Sequence, residues 1–391
     1  MTFPSHGERT VDSPARSGGQ AAMPSLELLR SLTDEHVLRA VMEHGRLTRA
    51  DIAAKTGISK PTISESVRRM AVAGVLVDTG ERTSGRGRAG SYYTLSDTAG
   101  TALILSIRPD GVLAESIDPF GTTVSQSMVG LDPGAGRQVA ARALDEAARN
   151  VMTGPGAFRL AAVSAADPVD RSSGRLVQLP DAPLLVGDLD PVSVLSPTVA
   201  GPVLVDNDVN WAARAERNAG EGSVDNFVYL HLGEGLGCAV VADGDVTRGH
   251  AGLAGEIAHV VTIGPEGLAL PLTEVFAQLG LRRPGTAAID VDRLRARFDE
   301  RQSGGLDTLQ TVARALSGVI AATIALADPE QVVLGGSWGR DPRVTDALRG
   351  CLAAAPRTVQ LRTAILADHP DHLGARTHGL TELRGMIATR L

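Results

Sequence analysis

The stretch LTRADIAAKTGISKPTISESVRRM, residues 47–70, contains the start and stop signals of two short helices joined by a tight turn. Thr48 and Asp51 have the spacing of a capping box, and Leu47 can pack across that cap against Ile52. Gly57 can adopt the positive φ of a turn. These signals predict a helix-turn-helix. The alternative is an ordinary helical hairpin with a solvated charged face.

The second helix of this pair has one apolar face and one polar face. Ser59 can cap it, and Pro61 falls in its first turn, where a missing N–H costs nothing. Ile63, Val67 and Met70 are spaced four and three residues apart and therefore share a buried face. The outward polar face suits a recognition helix in a major groove. It consists of Lys60, Thr62, Ser64, Glu65, Arg68 and Arg69.

A wing is predicted directly after this pair. Val75–Asp78 and Ser91–Leu95 resemble strand pieces, and the Gly-rich segment GERTSGRGRAG lies between them. Its Arg82, Arg86 and Arg88 can contact phosphates or enter a minor groove. Alone, such a segment is equally well interpreted as a solvated loop, but its position after a helix-turn-helix favours a wing.

One further helix is expected before the pair, from about Leu26 to His44. Its predicted apolar stripe packs against the other two helices and consists of Leu32, Val37, Leu38 and Val41. We therefore expect a winged-helix DNA-binding domain over residues 23–97. Residues 1–22 are rich in Ser, Gly and Pro and are expected to be disordered.

Charge and composition bound the function. Residues 1–97 carry 13 Lys and Arg against 11 Asp and Glu, a net charge of +2, so residues 98–391 carry −9 of the total of −7. An acidic body is repelled by DNA, which helps to orient the basic domain on a duplex. Cys238 and Cys351 form no metal-binding pair, and no signal peptide is evident. A cytoplasmic protein without membrane association is expected.

From residue 98 onward, strands alternate with helices in two sets, which predicts a two-lobed α/β body. Two strands meet at a Pro109–Gly111 turn, a strand ends at Asp206 and a helix follows near Val209. Four motifs then occur in order: DNDVN, LGEGLG, GEIAH and ADPEQVVLGGS. Preceded by a winged helix-turn-helix, this order resembles the ROK family of repressors, open reading frames and sugar kinases. The resemblance covers about residue 24 to the C-terminus and implies an actin-like (ribonuclease H-like) fold.

The resemblance also implies roles for individual residues. Asp208 matches the catalytic base that takes a proton from a sugar hydroxyl. The matching sugar-binding residues are Asn207, Asp208, Glu256, His259 and Glu274. The matching nucleotide-binding glycines are Gly233, Gly235, Gly237, Gly335 and Gly336. Outside the family context, purely structural roles are favoured for the same residues. Asp206 and Asp208 are then helix caps, the Gly-rich hairpin is a simple turn, and His259 is a core histidine.

Departures from the family pattern favour a sensor over a kinase. The family's D-x-G-G-T turn is replaced by Ser106 to Asp110, in which Arg108 and Pro109 take the place of glycines, so phosphate donors are lost. The family's zinc cysteines are absent after His259, so no metal is expected, and the apolar LALPL segment can replace metal with packing. Trp211 is bulkier than usual there and is expected to narrow the cleft or stack on a ligand.

The sequence therefore predicts a DNA-binding regulator, a homodimer on a double-stranded palindromic operator. A sugar or sugar derivative would bind in a cleft that has lost catalysis, with Asp208 as a vestigial base and no cofactor. The main alternative is an active ATP-dependent sugar kinase that also binds DNA. A third is a constitutive DNA-binding protein with a vestigial cleft.

Overall fold

The structure is a computed structural model. It describes residues 26–84, 89–132, 134–153, 156–179, 187–220, 224–300 and 308–389. The predicted disorder of residues 1–22 and the predicted DNA contacts of Arg86 and Arg88 lie outside the described residues. Within them the predicted fold class is confirmed: a winged helix-turn-helix precedes a two-lobed α/β body.

The winged-helix domain contains three helices and a small antiparallel sheet. In chain order its elements are α1 (Leu26–His44), β1 (Leu47–Thr48), α2 (Arg49–Thr56), α3 (Lys60–Val72), β2 (Leu76–Arg82) and β3 (Ser91–Leu95). Strand β3 lies between β1 and β2. Strand β1 was not predicted because a two-residue strand has no periodicity to recognise.

The predicted caps set the helix boundaries. The Thr48 side chain accepts a hydrogen bond from the Asp51 N–H, and the Asp51 carboxylate accepts one from the Thr48 N–H at 3.1 Å. Gly57 has a φ of 70° and ends α2, and the Ser59 hydroxyl accepts the N–H of Thr62. A capping side chain contributes about 1 kcal/mol. The angle between α2 and α3 is therefore specified locally.

The core of this domain follows the predicted periodicity, with one exception. Ile63, Val67 and Met70 are fully buried and belong to the same cluster as Val37, Leu38 and Val41. Leu32, predicted to lie on that stripe, is 45% exposed. The prediction for Leu32 was wrong because nine residues at 100° each place it on the side of α1 opposite Val41.

Lobe 1 is built on a five-stranded sheet. Its strands are β4 (Ala102–Arg108), β5 (Gly111–Ile117), β6 (Thr123–Gly130), β7 (Leu160–Ala165) and β8 (Val203–Asn207). Their order is β6-β5-β4-β7-β8, with β4, β7 and β8 parallel. Helices α4 (Arg137–Asn150) and α5 (Pro191–Leu195) belong to this lobe, and α6 (Asp208–Ala219) leaves β8 toward the second lobe.

Lobe 2 repeats the plan with a second five-stranded sheet in the order β11-β10-β9-β14-β15. Strands β12 and β13 form a separate antiparallel hairpin. In chain order the elements of lobe 2 are β9 (Phe227–Leu232), β10 (Leu236–Ala242), β11 (Asp245–Val246), β12 (Val261–Ile263), β13 (Ala269–Pro271), α7 (Leu272–Gln278), α8 (Val291–Asp299), α9 (Thr308–Ala327), β14 (Gln331–Gly335), α10 (Pro342–Leu352) and β15 (Gln360–Thr363).

By length and composition α9 is the one helix within the described ranges that could cross a membrane. Its Val312, Leu316 and Ile320 are instead buried among the strands and helices of lobe 2. Helix α9 is therefore a core helix of this lobe.

The last helix, α11 (Pro370–Ala388), returns to lobe 1 and packs on α6, β4, β7 and α1. A final helix was predicted, but not its location. Its contact with α6 is tight, because a Cβ at Gly374 would lie 2.0 Å from the backbone oxygen of Trp211. Helix α11 therefore contacts both the body and the winged-helix domain.

Candidate functional site

Helix α3 exposes part of the predicted DNA-binding face. Lys60 and Thr62 are exposed, and Ser64 is half-buried. Arg68 is exposed and forms a two-pronged ion pair with Glu65, with distances of 3.0 and 2.7 Å. Lys60 is thus open to a duplex, whereas the Thr62 hydroxyl is shared with the Ser59 hydroxyl at 2.8 Å and Arg68 must exchange Glu65 for a phosphate or base.

Arg69 does not belong to this face, which corrects the prediction. Its Nη2 lies 2.6 Å from the Asp34 carboxylate of α1, and the Ser66 hydroxyl also donates to Asp34. Asp34 is nearly buried, so its charge needs these partners. Arg69 therefore holds α3 against α1.

Among the wing residues that the structure describes, one is an arginine, Arg82. Arg82 is exposed at the end of β2 and pairs with Asp78 at 2.9 Å. Arg46, before β1, pairs with Glu81 on the same strand, and its guanidinium lies over the Tyr92 ring. Strand β2 thus carries Arg82 and pairs with Arg46 through Glu81. The carboxylates in both pairs are exposed, and exposed pairs of this kind exchange partners at little cost.

A cavity of about 320 Å³ lies between the two lobes. Several residues predicted from the sequence line it, and they come from β8, α6, the β9–β10 turn and the loop after β11. These are Asn207, Asp208, Gly233, Gly235, Gly237, Glu256 and His259. Three predicted residues, Glu274, Gly335 and Gly336, are not among its lining residues.

Asn207 and Asp208 stand where β8 ends and α6 begins. The Asn207 side chain caps α6 by accepting the Val209 N–H at 2.9 Å, and its amide donates to the Asp167 carbonyl at 3.2 Å. Asp208 also accepts the Val209 N–H, at 2.8 Å. Burial, followed by the nearby carboxylate of Asp371, raises the pKa of Asp208 to about 8. The residue that caps α6 is therefore Asn207, and neither Asp206 nor Asp208, for which capping was the alternative, is its N-cap. Asp208 is a mostly protonated acid in the cavity.

Glu256 immediately precedes a short 3₁₀ turn, Ile257–His259, and His259 is the last residue of that turn. Burial raises the pKa of Glu256 to about 7. His259 is exposed on the cavity side, so the interpretation as a core histidine is excluded. Both residues are positioned to meet a ligand in the cavity.

The prediction for Glu274 is off by one residue. Thr273 lines the cavity, whereas Glu274 points to Arg282, with 3.8 Å between the charged atoms. Successive residues of α7 are rotated by 100°, so only one of the two can face the ligand.

The β9–β10 turn carries glycines and a carboxylate. Glu234 lies between Gly233 and Gly235, lines the cavity and pairs with Arg283 at 2.6 Å. A carboxylate within the turn repels a phosphate group and opposes the predicted anion-binding role. The Trp338 indole N–H donates to the Gly233 carbonyl at 2.9 Å and thereby fixes the position of the turn.

Gly335 and Gly336 serve the backbone around β14. A Cβ at Gly335 would lie 2.1 Å from the Tyr229 hydroxyl, and Gly336 has a φ of 84°. Ser337, the next residue, reaches the cavity instead. The two glycines thus have a packing reason to be glycine that does not require a nucleotide.

The turn that replaces the family's first phosphate loop lies at the cavity edge. Pro109 lines the cavity, but Ser106 is fully buried, and its hydroxyl lies 3.0 Å from His372 Nδ1. His372 Nε2 donates to Glu115 at 2.9 Å, and Arg376 also donates to Glu115. Ser106 therefore belongs to an internal polar network between the sheet and α11 and does not face a ligand.

Three cavity groups were not predicted: Asp167, His231 and, beside them, Asp371. Asp167 and His231 line the cavity. Asp371, in the first turn of α11, accepts a hydrogen bond from Ser164 at 3.0 Å and acts electrostatically on Asp208. No motif marks Asp371, because only the return of α11 to lobe 1 brings it here.

Trp211 does not narrow the cleft, contrary to prediction. It is 3% exposed, its indole N–H donates to the Val163 carbonyl at 2.9 Å, and Arg214 lies 4.6 Å from its ring centre. Its position on α6 faces lobe 1 and α11, so the ring packs in the core.

The segment after His259 forms the β12–β13 hairpin. Leu272 is fully buried and Leu270 packs against the lobe 2 core, whereas Leu268 is 51% exposed. Apolar packing thus anchors the end of this segment. Across the part of the chain that the structure describes, no group of three or more His, Cys, Asp or Glu side chains is arranged to hold a metal ion.

Comparisons with known proteins agree with this architecture. The ROK family model matches residues 140–377, and a winged helix-turn-helix DNA-binding model matches residues 30–77. The Xylose repressor of Caldicellulosiruptor bescii is 22% identical over 237 residues, 59% of each chain. The Glucokinase of Halalkalibacterium halodurans is 33% identical over 162 residues, 34% of this chain and 48% of the glucokinase. The matched region thus spans about half the length of these curated relatives.

Two solved structures share the fold. A ROK family transcriptional regulator, a homologue of the E. coli MLC protein, superposes with a TM-score of 0.63 at 19% identity, covering 93% of this chain and 100% of that one. The ROK hexokinase of Thermus thermophilus superposes with a TM-score of 0.55 at 26% identity, covering 73% of this chain and 99% of that one.

Proposed function

Because this chain belongs to the ROK family, we propose that it is a DNA-binding transcriptional repressor of carbohydrate-related genes. A sugar or sugar-like effector binds in its kinase-like cavity and is not phosphorylated. The proposal rests on one observation: a capped helix-turn-helix is attached to a body with a carboxyl-lined cavity. At the edge of this cavity, Pro109 stands in the turn that binds phosphate in the family's kinases and has no N–H to donate.

In this proposal α3 enters a major groove. Lys60, Thr62 and Ser64 lie on its open side and Arg68 is released from Glu65, while Arg82 contacts the backbone from the wing. The match of residues 30–77 to a DNA-binding winged helix supports this assignment. The protein acts in the cytoplasm as a homodimer on a two-fold symmetric operator.

The cavity supplies the sugar contacts. Asp208 and Glu256 offer carboxyl groups, Asn207 adds an amide and His259 an imidazole. Adjacent sugar hydroxyls both donate and accept, so mixed acid and amide groups suit them.

A kinase function would require hydrogen-bond donors that bind the phosphate groups, and the cavity lacks them in the turns where the family has them. Phosphoryl transfer depends on positioned donors and a metal. Here Pro109 has no N–H to donate, Ser106 is turned to His372, and Glu234 places a negative charge in the glycine turn. We therefore assign Asp208 to ligand binding.

Helix α11 provides the coupling. Asp371 in its first turn acts on Asp208, and Arg384 near its end bonds to the carbonyls of Pro119 at 2.8 Å and Met42 at 3.4 Å. Ligand binding that moves the start of this helix is therefore transmitted to α1. Effector and DNA are coupled to the extent that they favour different α11 positions.

The test begins with duplexes selected from a random pool by the full-length protein. Affinity for the selected duplex is measured with and without a panel of sugars and sugar phosphates. Glu256→Ala and His259→Ala are expected to retain DNA binding and lose the sugar response. A normal response in both variants would place the effector elsewhere.

Two further measurements separate the alternatives. ATP turnover with the same sugars is expected to stay at background, and turnover that disappears in Asp208→Asn would establish the kinase. A thermal shift with at least one sugar is expected; DNA binding that ignores every sugar, without any thermal shift, would indicate a constitutive DNA-binding protein.

A further inference from the structure

The cavity is strongly acidic. Four carboxyl groups line it, on Asp167, Asp208, Glu234 and Glu256. Its only titratable bases are His231 and His259, since the lining residues in the described ranges include no lysine or arginine. Burial lowers the pKa of His231, which makes this histidine neutral at pH 7. Among its described lining residues the cavity thus has more carboxyl groups than basic groups.

Nearby arginines are committed to other carboxylates. Arg283 pairs with Glu234 at 2.6 Å, and Arg282 faces Glu274. Behind the cavity, Arg214 and Arg248 bind the buried carboxylate of Asp206 at 2.8 and 3.3 Å. Asp206 is not a lining residue, so these two cations neutralise a charge outside the cavity.

Asp208 and Glu256 are left without a cation. Burial is the main cause of the raised pKa of Asp208. The carboxylates of Asp371, Asp167 and Glu256 raise this pKa further, and the hydrogen bond from the Val209 N–H lowers it. Burial alone raises the pKa of Glu256. Both groups therefore keep protons near neutral pH, because ionising them together is unfavourable.

Building on the proposed function, we propose that the effector is an amino sugar with a free ammonium group, and that Asp208 and Glu256 are its ionic partners. An ammonium supplies the missing positive charge and three N–H donors to groups that, once ionised, only accept. On binding, the O–H bonds of the two carboxyl groups break and their protons pass to solvent, while the bonds of the sugar stay unchanged.

The same chemistry ranks related ligands. An N-acetylated amino sugar has no charge, and a neutral hexose meets carboxyl groups that hold their protons. A sugar phosphate brings one or two negative charges into a cavity without a guanidinium or ammonium of its own. Affinity is therefore expected to fall from amino sugar to neutral sugar to sugar phosphate.

Calorimetric titration of the full-length protein at pH 7 tests this order. The probes are glucosamine, galactosamine and mannosamine, their N-acetyl forms, their 6-phosphates and the parent hexoses. At least one free amino sugar is expected to bind about 10-fold or more tightly than its neutral counterparts and about 100-fold more tightly than its phosphate. Equal or tighter binding of a neutral or phosphorylated sugar overturns the charge assignment and leaves the sugar-sensing function intact.

Proton release gives an independent measurement. Titrations in two buffers of different ionisation heat should show protons released with the amino sugar and none with the neutral hexose. Absence of release with a bound amino sugar overturns the ionic contact. Ammonium chloride and magnesium chloride are run as separate probes, and the same release from either salt at millimolar concentration would assign the site to a simple cation.

Matched variants locate the contact. Glu256→Gln keeps the shape of the side chain and should weaken the amino sugar about 10-fold or more while changing neutral sugar binding less than threefold. Glu274→Gln, outside the cavity, should change neither. Equal losses for charged and neutral ligands in Glu256→Gln overturn the proposal, and failure of every sugar to bind rejects the sugar-sensing function with it.

Discussion

Arg384 of α11 donates a hydrogen bond from Nη2 to the backbone carbonyl of Met42 in α1, at 3.4 Å. The same guanidinium bonds to the carbonyls of Pro119 and Phe120, which belong to the turn between β5 and β6. One side chain thus joins the body to the winged-helix domain. Since Arg384 lies far from the cavity, it can be changed without altering ligand binding directly.

We expect Arg384→Ala to uncouple the effector from DNA. Sugar affinity should be unchanged, while the effector's influence on operator affinity should shrink several-fold, because the link between α11 and α1 is lost. Sugar affinity and DNA affinity are measured by titration, each with and without the other ligand. Arg357→Ala, which removes a partly exposed arginine bonded within lobe 2, serves as the matched control and should keep full coupling. Equal coupling in both variants would exclude the Arg384 contact as the path.

Lys60 and Arg69 should respond differently to truncation. Lys60→Ala should weaken DNA binding across sequences and reduce the salt dependence by about one phosphate contact. Arg69→Ala should instead lower the free energy of unfolding by about 1–3 kcal/mol, because the nearly buried Asp34 carboxylate keeps the Ser66 hydrogen bond but loses its ion pair with Arg69. Salt-dependent DNA titrations and chemical denaturation measure the two effects. A large loss of stability in Lys60→Ala would reverse these assignments.

Asp208→Asn should stabilise the ligand-free protein at alkaline pH. The folded-state pKa of Asp208 is raised to about 8, so the folded protein keeps a proton that the unfolded chain releases above about pH 4. Stability therefore falls as the pH rises from about 4 to about 8. Asparagine removes this dependence, so the gain in Tm should grow between pH 5 and pH 8. A gain in Tm that stays constant from pH 5 to pH 8 would contradict the raised pKa of Asp208.

Glu115→Gln should have the opposite pH signature. Burial acts to raise the pKa of Glu115, but hydrogen bonds from His372, Thr123 and Arg376 outweigh burial and lower the pKa to about 2. The folded-state pKa is depressed, so this stabilisation is present above about pH 4.5 and is lost as the pH falls toward 2. The variant should be about 2 kcal/mol less stable at pH 7 and should lose less stability in acid. Parallel acid-unfolding curves for the two proteins would contradict this account.

Local signals were sufficient to predict much of the fold. The caps at Thr48 and Ser59 and the 3.6-residue periodicity of α3 act within a few residues, so the winged-helix domain could be predicted closely. The orientation of Arg69 could not, because the partner that turns it inward, Asp34, lies 35 residues away. Similarly, β1 becomes a strand only because β3 pairs with it.

The cavity was predictable where a motif marks it. Asn207, Asp208, Glu256 and His259 line it as their motifs indicated. Glu274 failed because a single position on α7 separates a cavity residue from a surface residue. Asp371 was missed because its position depends on the packing of α11 against β7, and no local pattern encodes that packing.

The return of α11 to lobe 1 has a consequence for biosynthesis. Arg376 is joined to Glu115 across 261 residues, so at bacterial and eukaryotic elongation rates the ribosome adds it on the order of 10–50 s after Glu115. Until then α11 does not cover the face of lobe 1 around Ile104 and Ala162, although the caps of α2 and α3 lie in residues that are already synthesised. Under the proposed function, the recognition helix is thus synthesised before the effector cavity is complete, and the uncovered sheet of the nascent chain is a target for chaperones.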